Sequence, residues 1–117
     1  MSLNRDSVHA ILADLDTTRE QREELYIHFH RHPELSMQEF GTADRIRTEL
    51  EAAGIDVRAV GRTGLVAVIA NEDGPTVAMR ADIDALPITE DSGKPYAATG
   101  DVAHACGHDV HIISLLS

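Results

Sequence analysis

Three observations predict an α/β fold for this chain of 117 residues: helical apolar spacing through the first third, a switch to short β-rich runs after Gly54, and an apolar stretch that opens after a long loop. The first helix follows from Val8, Ile11, Leu12 and Leu15, whose three- and four-residue spacing puts them on one stripe. A break at Asp16-Thr17-Thr18 supplies short polar side chains that can cap a second helix running to about His32, with Leu25, Phe29 and His32 on its inner face. Pro33 disfavours helical geometry at the residue before it and ends that element. Ser36 with Glu39 three residues on reads as a capping box, and Phe40, Ala43, Ile46 or Arg47, Leu50 and Ala53 then continue in helical register. Gly54 is the expected left-handed terminator.

Beyond Gly54 the period becomes extended. Ile55 to Val60, Leu65 to Ala70 and Thr76 to Ala81 are β-rich runs, parted by Gly61-Arg62-Thr63-Gly64 and Asn71-Glu72-Asp73-Gly74-Pro75, both turn chemistry. Two or three neighbouring strands joined by hairpins are predicted. Asp82 to Gly100, with Pro87, Gly93, Pro95 and Gly100, reads as a long loop, and such loops in compact domains are usually functional or disordered. Val110, Ile112, Ile113, Leu115 and Leu116 open a last helix that is apolar on most sides and so belongs in a larger core. The chain is therefore expected to be a partial domain over 1–117: helices over about 5–53, strands over about 55–82, a loop over 82–109 and a truncated helix over 109–117.

Composition narrows the function. Twenty acidic against ten basic residues give a formal charge of -10, and without a basic patch the chain lacks the counterion-releasing surface that nucleic-acid binding requires. No window approaches the ~18 uninterrupted apolar residues of a membrane span. The single cysteine cannot form an internal disulfide, and no secretory leader is evident, so a reducing cytoplasm is the expected location. With no Trp, two Tyr and two Phe, the core must be aliphatic. The uncovered apolar face of 110–116 and unpaired strand edges are expected to drive self-association.

The chemistry concentrates in His104-Ala105-Cys106-Gly107-His108-Asp109. If this segment is extended, positions 104, 106 and 108 project to one side, and a thiolate and a neutral imidazole are both good ligands for zinc and similar divalent ions. Gly107 removes a side chain where the backbone passes close to a metal. Asp109 can cap the following helix or orient His108 by its second nitrogen. A Cys-x-His pair taken alone is better read as a buried thiol and surface histidines, because a structural zinc takes about four ligands. Asp82 and Asp84, in Arg80-Ala81-Asp82-Ile83-Asp84-Ala85-Leu86-Pro87, follow a predicted strand and fall on one side of it, where carboxylates can complete a metal shell or hold a ligating imidazole. The competing reading is an Asp-rich turn with Arg80 in a surface ion pair. His28 and His32, four apart, share a helix face that is read as solvated or half-buried. His111 lies one turn beyond His108, lining the pocket or packing in the helix core.

Together, His32-Pro33-Glu34-Leu35-Ser36, Arg80 to Ile88 with Glu90, and His104 to Asp109 with His111 resemble the metal-dependent N-acyl-amino-acid amidohydrolases. That family includes hippurate hydrolase, aminoacylase-like enzymes and plant indole-acetyl-amino-acid hydrolases, within the two-metal aminopeptidases and carboxypeptidases. The similarity runs from about Arg22 to Leu116. The resemblance implies the amino-terminal portion of a two-metal peptidase-like α/β catalytic domain, with a smaller dimerisation domain later in the family's chain and a homodimeric full enzyme.

It also implies roles for individual residues. Cys106 and His108 fall on ligands of a pair of divalent ions, zinc, manganese, nickel or cobalt. Asp84 falls on the acidic residue that supports the site. Asp82 falls where distant relatives have a histidine ligand, which leaves it as ligand or neighbour. Asp109, His111 and His104 would stand behind the ligands or along the pocket, and no metal is assigned to His28 or His32. Val110 and Ala103 stand where the family usually has Gly and Met. The implied reaction is hydrolysis of the amide of a small N-acyl amino acid, with a general base in a Glu-Glu pair downstream of the Cys-Gly-His-Asp motif. Here the last glutamate is Glu90, so base and further ligands are missing and the 117 residues alone are expected to be inactive. The alternative is a free-standing, non-catalytic module that binds metal or a partner.

Overall fold

A computed structural model describes residues 4–117; Met1-Ser2-Leu3, which carry no weight in the sequence reading, lie outside them. Four helices and one antiparallel hairpin follow in the order α1 Arg5–Leu12, α2 Arg19–Arg31, α3 Phe40–Ala52, β1 Val57–Val60, β2 Gly64–Ala67 and α4 His108–Leu116. Asn4 caps α1 by accepting from the Ser7 N–H at 2.8 Å. Its apolar stripe is in place but uncovered, with Val8, Ile11 and Leu12 all exposed. The polar break after it forms as expected, with a different use of its hydroxyls. Thr17 and Thr18 donate back to the carbonyls of Asp14 and Leu15 in the turn between the two helices, and neither side chain caps α2.

The second helix supplies the core. Leu25 and Phe29 pack against Ile112 of α4, with Ile46, Ile83, Ile113 and Leu116 around them. His32, placed on the inner face by its spacing from Leu25 and Phe29, is exposed. It sits at the C-cap, where the backbone has left the helix and the ring turns back to bond the His28 carbonyl at 2.7 Å. The inward histidine is instead His30, which is 7% exposed.

The capping box at Ser36 and Glu39 is not formed. Ser36 is exposed, and Glu39 is itself the residue before α3, with its carboxylate accepting from the Thr63 hydroxyl at 2.6 Å. Glu34 caps α3 from farther upstream: its carboxylate accepts from the Gly41 N–H at 3.1 Å and from the Thr42 N–H and hydroxyl at 2.5 and 2.6 Å. A carboxylate at a helix N-terminus satisfies orphan donors and meets the positive end of the helix dipole. Glu34→Ala is accordingly expected to lower stability by about 2 kcal/mol, read as a shift in the urea midpoint, while Ser36→Ala leaves it nearly unchanged. The other end of α3 is as predicted: Gly54 adopts φ +77, and the Gly54 and Ile55 N–H groups bond back to Glu51 and Leu50 in a Schellman arrangement.

The hairpin pairs Val57 with Ala67 through Val60 with Gly64. Gly64 is required there, because a Cβ would stand 2.6 Å from the Val60 carbonyl oxygen. The third β-rich run, Thr76 to Ala81, is not a strand. A strand needs a partner ladder, and this run has no backbone hydrogen bond among the described residues; Val77 and Met79 are 84% and 75% exposed. The radius of gyration, 16.1 Å, exceeds the roughly 13 Å of a compact chain of this length, in keeping with that uncovered surface.

Candidate metal centre

Two isolated bridges hold the loop that carries the acidic motif. The Ala85 N–H donates to the Glu34 carbonyl at 2.8 Å in a parallel bridge centred on Leu35 and Ala85, and Leu86 and Ala103 exchange bonds at 3.0 and 2.9 Å in an antiparallel one. The segment 82–86 is thus threaded between the residues after α2 and those before α4. This brings Asp82 and Asp84 beside His108, 24 residues from Asp84 in sequence.

His108 Nδ1 donates to Asp84 twice, to its backbone carbonyl at 2.8 Å and to its carboxylate at 3.0 Å. A proton fixed on Nδ1 leaves Nε2 with its lone pair, the form in which imidazole ligates metals. Asp82 Oδ2 lies 4.0 Å from that Nε2, while Asp82 Oδ1 pairs with Arg80 at 2.5 Å, so the surface ion pair and the neighbour of His108 are the same residue. Both carboxylates therefore face His108, as their alternation predicts.

The expected alternation of 104, 106 and 108 does not hold. Gly107 takes a left-handed φ of +82, which turns the chain just before α4. His104 is consequently buried and Cys106 exposed, while His108 is half-buried. Both ring nitrogens of His104 are buried with no hydrogen-bond partner among the described residues, and burial pushes its pKa down. His111 is exposed, with its ring 5.5 Å from that of His108. Asp109 neither caps α4 as its N-cap residue nor touches His108. It lies within the first turn, where one oxygen accepts from the Val110 N–H at 2.9 Å and the other meets His30 Nδ1 at 2.7 Å.

His30 was not singled out by the sequence, yet both of its ring nitrogens meet a carboxylate beside the site. Its Nε2 lies 2.8 Å from Glu90, which also accepts from the Ser92 hydroxyl and the Ala98 N–H, both at 2.6 Å. Those hydrogen bonds, Ser92 first and then His30 and Ala98, outweigh burial and hold the Glu90 pKa down to about 2. For His30, burial acts to lower the pKa, but the bonds to Asp109 and Glu90 prevail and raise it.

A pH dependence follows. Glu90, depressed from 4.5, contributes stability above that value and loses it as pH falls toward about 2. His30, raised from 6.5, contributes fully below that value and fades as pH rises through its folded pKa. His104 and His28, lowered by burial, act in the opposite sense on acidification. The difference in urea midpoint between the chain and His30→Gln isolates the His30 effect: it is expected to be largest below the ordinary histidine pKa and to shrink under alkaline conditions.

Among the described residues no group of three or more His, Cys, Asp and Glu side chains is gathered closely enough to hold a metal ion. The donor chemistry nevertheless fits a contribution to one: an exposed thiol, an imidazole with its tautomer fixed by a carboxylate, and a second carboxylate near its free nitrogen.

The chain is similar to several known proteins. Residues 78–117 match the sequence model described as Peptidase family M20/M25/M40. N-acetyl-L-cysteine deacetylase of Bacillus subtilis (strain 168) is 46% identical over 106 residues, covering 88% of this chain and 26% of the relative. An N-acetylcysteine deacetylase of the same organism is 50% identical over 91 residues, 74% of this chain and 24% of the relative. The crystal structure of Bacillus subtilis YXEP, described as a dinuclear metal binding peptidase from the M20 family, superposes with a TM-score of 0.80 at 42% identity, over 86% of this chain and 29% of that one. Over these stretches the chain is similar to this family of hydrolases, and it spans about a quarter of the length of the curated relatives it matches.

Proposed function

We propose that the protein containing this chain hydrolyses the amide bond of N-acyl amino acids or related small amides, using two divalent ions such as zinc, manganese, nickel or cobalt. The observation that carries the reading is the shared hydrogen bond from His108 Nδ1 to the carbonyl and carboxylate oxygens of Asp84, which leaves Nε2 available. Two relatives named as deacetylases of N-acetylcysteine and a neighbour described as binding two metals support it. Cys106 and His108 would hold metal, Asp84 would orient His108, and Asp82 would stand beside it as ligand or neighbour. The ions, when bound, supply Lewis acidity to the scissile carbonyl and acidify a water toward a pKa of about 7.

Proton transfer from that water to the leaving amine needs a carboxylate base. Glu90 is unsuited to it: its oxygens already accept from Ser92, Ala98 and His30, and its low pKa makes it a weak base. The base is therefore assigned outside the described residues, as the resemblance to a Glu-Glu pair implies. A cytoplasmic, homodimeric enzyme is part of the same proposal, and the exposed Val77 and Met79 favour self-association of the isolated chain.

The test is a zinc and manganese titration of the 117-residue chain, with Cys106→Ser and His108→Ala in parallel. Weak binding that both substitutions abolish is expected, with no hydrolysis of N-acetyl- or N-benzoyl-amino acids. Binding unaffected by either substitution would remove these residues from the ligand set. Hydrolysis that disappears in Cys106→Ala would overturn the inactivity of the isolated chain.

A further inference from the structure

We propose that His30 is a positioning residue for His108: as a cation bridging Glu90 and Asp109, it fixes the first turn of α4 and so presents His108 with Nδ1 protonated and Nε2 bare. Its functional meaning rests on the reading of His108 as a metal ligand, while its geometry does not.

The charge state of His30 follows from its partners. Its two nitrogens lie 2.7 and 2.8 Å from carboxylate oxygens, which when ionised only accept hydrogen bonds. A neutral ring would set a lone pair against one of those oxygens in a site where the side chains of His30, Glu90 and Asp109 are 9%, 10% and 4% exposed. Both nitrogens therefore donate. The other groups around the ring are Tyr26 on its own helix and Tyr96, with ring centroids at 5.6 and 5.4 Å, and His104, which senses its charge. Tyr26 brings no competing charge, since it is kept in its neutral form by burial and by the nearby Asp109.

The mechanical link runs through α4. Gly107, at its N-cap, has no side chain to bond the first turn, so the bond from His30 to Asp109 is the polar tether between α2 and that turn. Three residues on, Ile112 packs against Phe29, the residue before His30. Helix α2 thus grips α4 at two adjacent points, one polar and one apolar. Releasing the polar point lets the first turn swivel about Ile112. His108, immediately before Asp109, then loses the alignment that lets one N–H reach both Asp84 oxygens at 2.8 and 3.0 Å.

The experiment is ring 15N NMR of the histidine-labelled chain above the ordinary histidine pKa of about 6.5, on the wild type, His30→Gln and Thr63→Ala. The last is a control that destabilises by stranding the buried Glu39 at the start of α3, which bonds neither His30 nor Asp109. Expected are a doubly protonated His30, a single Nδ1–H tautomer of His108 in the wild type and in Thr63→Ala, and mixed tautomers in His30→Gln. Should His30→Gln not fold, an alkaline titration of the wild type decides, because His108 must lose its single tautomer as His30 loses its proton. A His108 that keeps one tautomer in folded His30→Gln, or through that titration, overturns the proposal, as does a bare nitrogen on His30. Cobalt(II) titration separates the two readings. A loss of affinity of about 10–100-fold in His30→Gln supports both, whereas a wild type with the fixed tautomer and no cobalt binding overturns only the ligand role of His108.

Discussion

His30→Ala is expected to destabilise the chain by about 3–5 kcal/mol, the range for removing one partner from a buried ion pair. The loss is larger than an ordinary hydrogen bond because the substitution leaves two carboxylates behind. Glu90 retains the Ser92 and Ala98 donors, whereas Asp109, 3% exposed, keeps only the Val110 N–H and becomes the uncompensated charge. Urea unfolding followed by circular dichroism would measure it. Adding Asp109→Asn to His30→Ala is expected to recover part of the loss by discharging the stranded carboxylate. A loss below about 1 kcal/mol for His30→Ala would show that water replaces the ring and that the pair behaves as an exposed one.

Phe29→Ala is expected to have an effect of the same size, about 3–5 kcal/mol, for a different reason. Phe29 is 1% exposed and, with Leu25 and Ile112, forms the centre of the core. Truncation removes apolar contact and opens a cavity between α2 and α4 that so small a core has few neighbours to refill. Since single domains are stable by about 5–15 kcal/mol, the variant should be partly unfolded at room temperature. Ile46→Val, in the half-buried rim of the same cluster, is expected to lose only about 1 kcal/mol, and equal losses for the two variants would place the core elsewhere.

Local signals were readable where local physics decides. Leu25 and Phe29 announce the inner face of α2 by spacing, Gly54 ends α3 through a left-handed backbone that glycine adopts freely, and the alternation of Asp82 and Asp84 puts both carboxylates toward His108. What escaped was decided by partners distant in sequence. His30 is bonded to residues 60 and 79 positions away, and nothing in its local sequence points to either partner. Its one local cue is Tyr26, four residues earlier, whose ring lies against it and widens the buried face of the helix. Glu34 displaced the expected capping box because it reaches back over a turn that spacing rules do not describe. Thr76 to Ala81 has strand propensity without a ladder to join, and propensity alone does not make a strand.

The two bridges that thread the acidic loop also set the order in which the site assembles. The bond from Ala85 to Glu34 closes a loop of about fifty residues, for which chain entropy alone opposes closure by roughly 3 kcal/mol or more. A single backbone hydrogen bond returns about 1 kcal/mol. It cannot form first. Helices α2 and α4 must already be docked through Phe29 and Ile112 before the loop is held long enough to register, so Asp84 meets His108 late in folding. The amides of Ala85, Leu86 and Ala103 should accordingly exchange with solvent sooner than those of α2, making the candidate metal centre the first part of the core to open and the last to close.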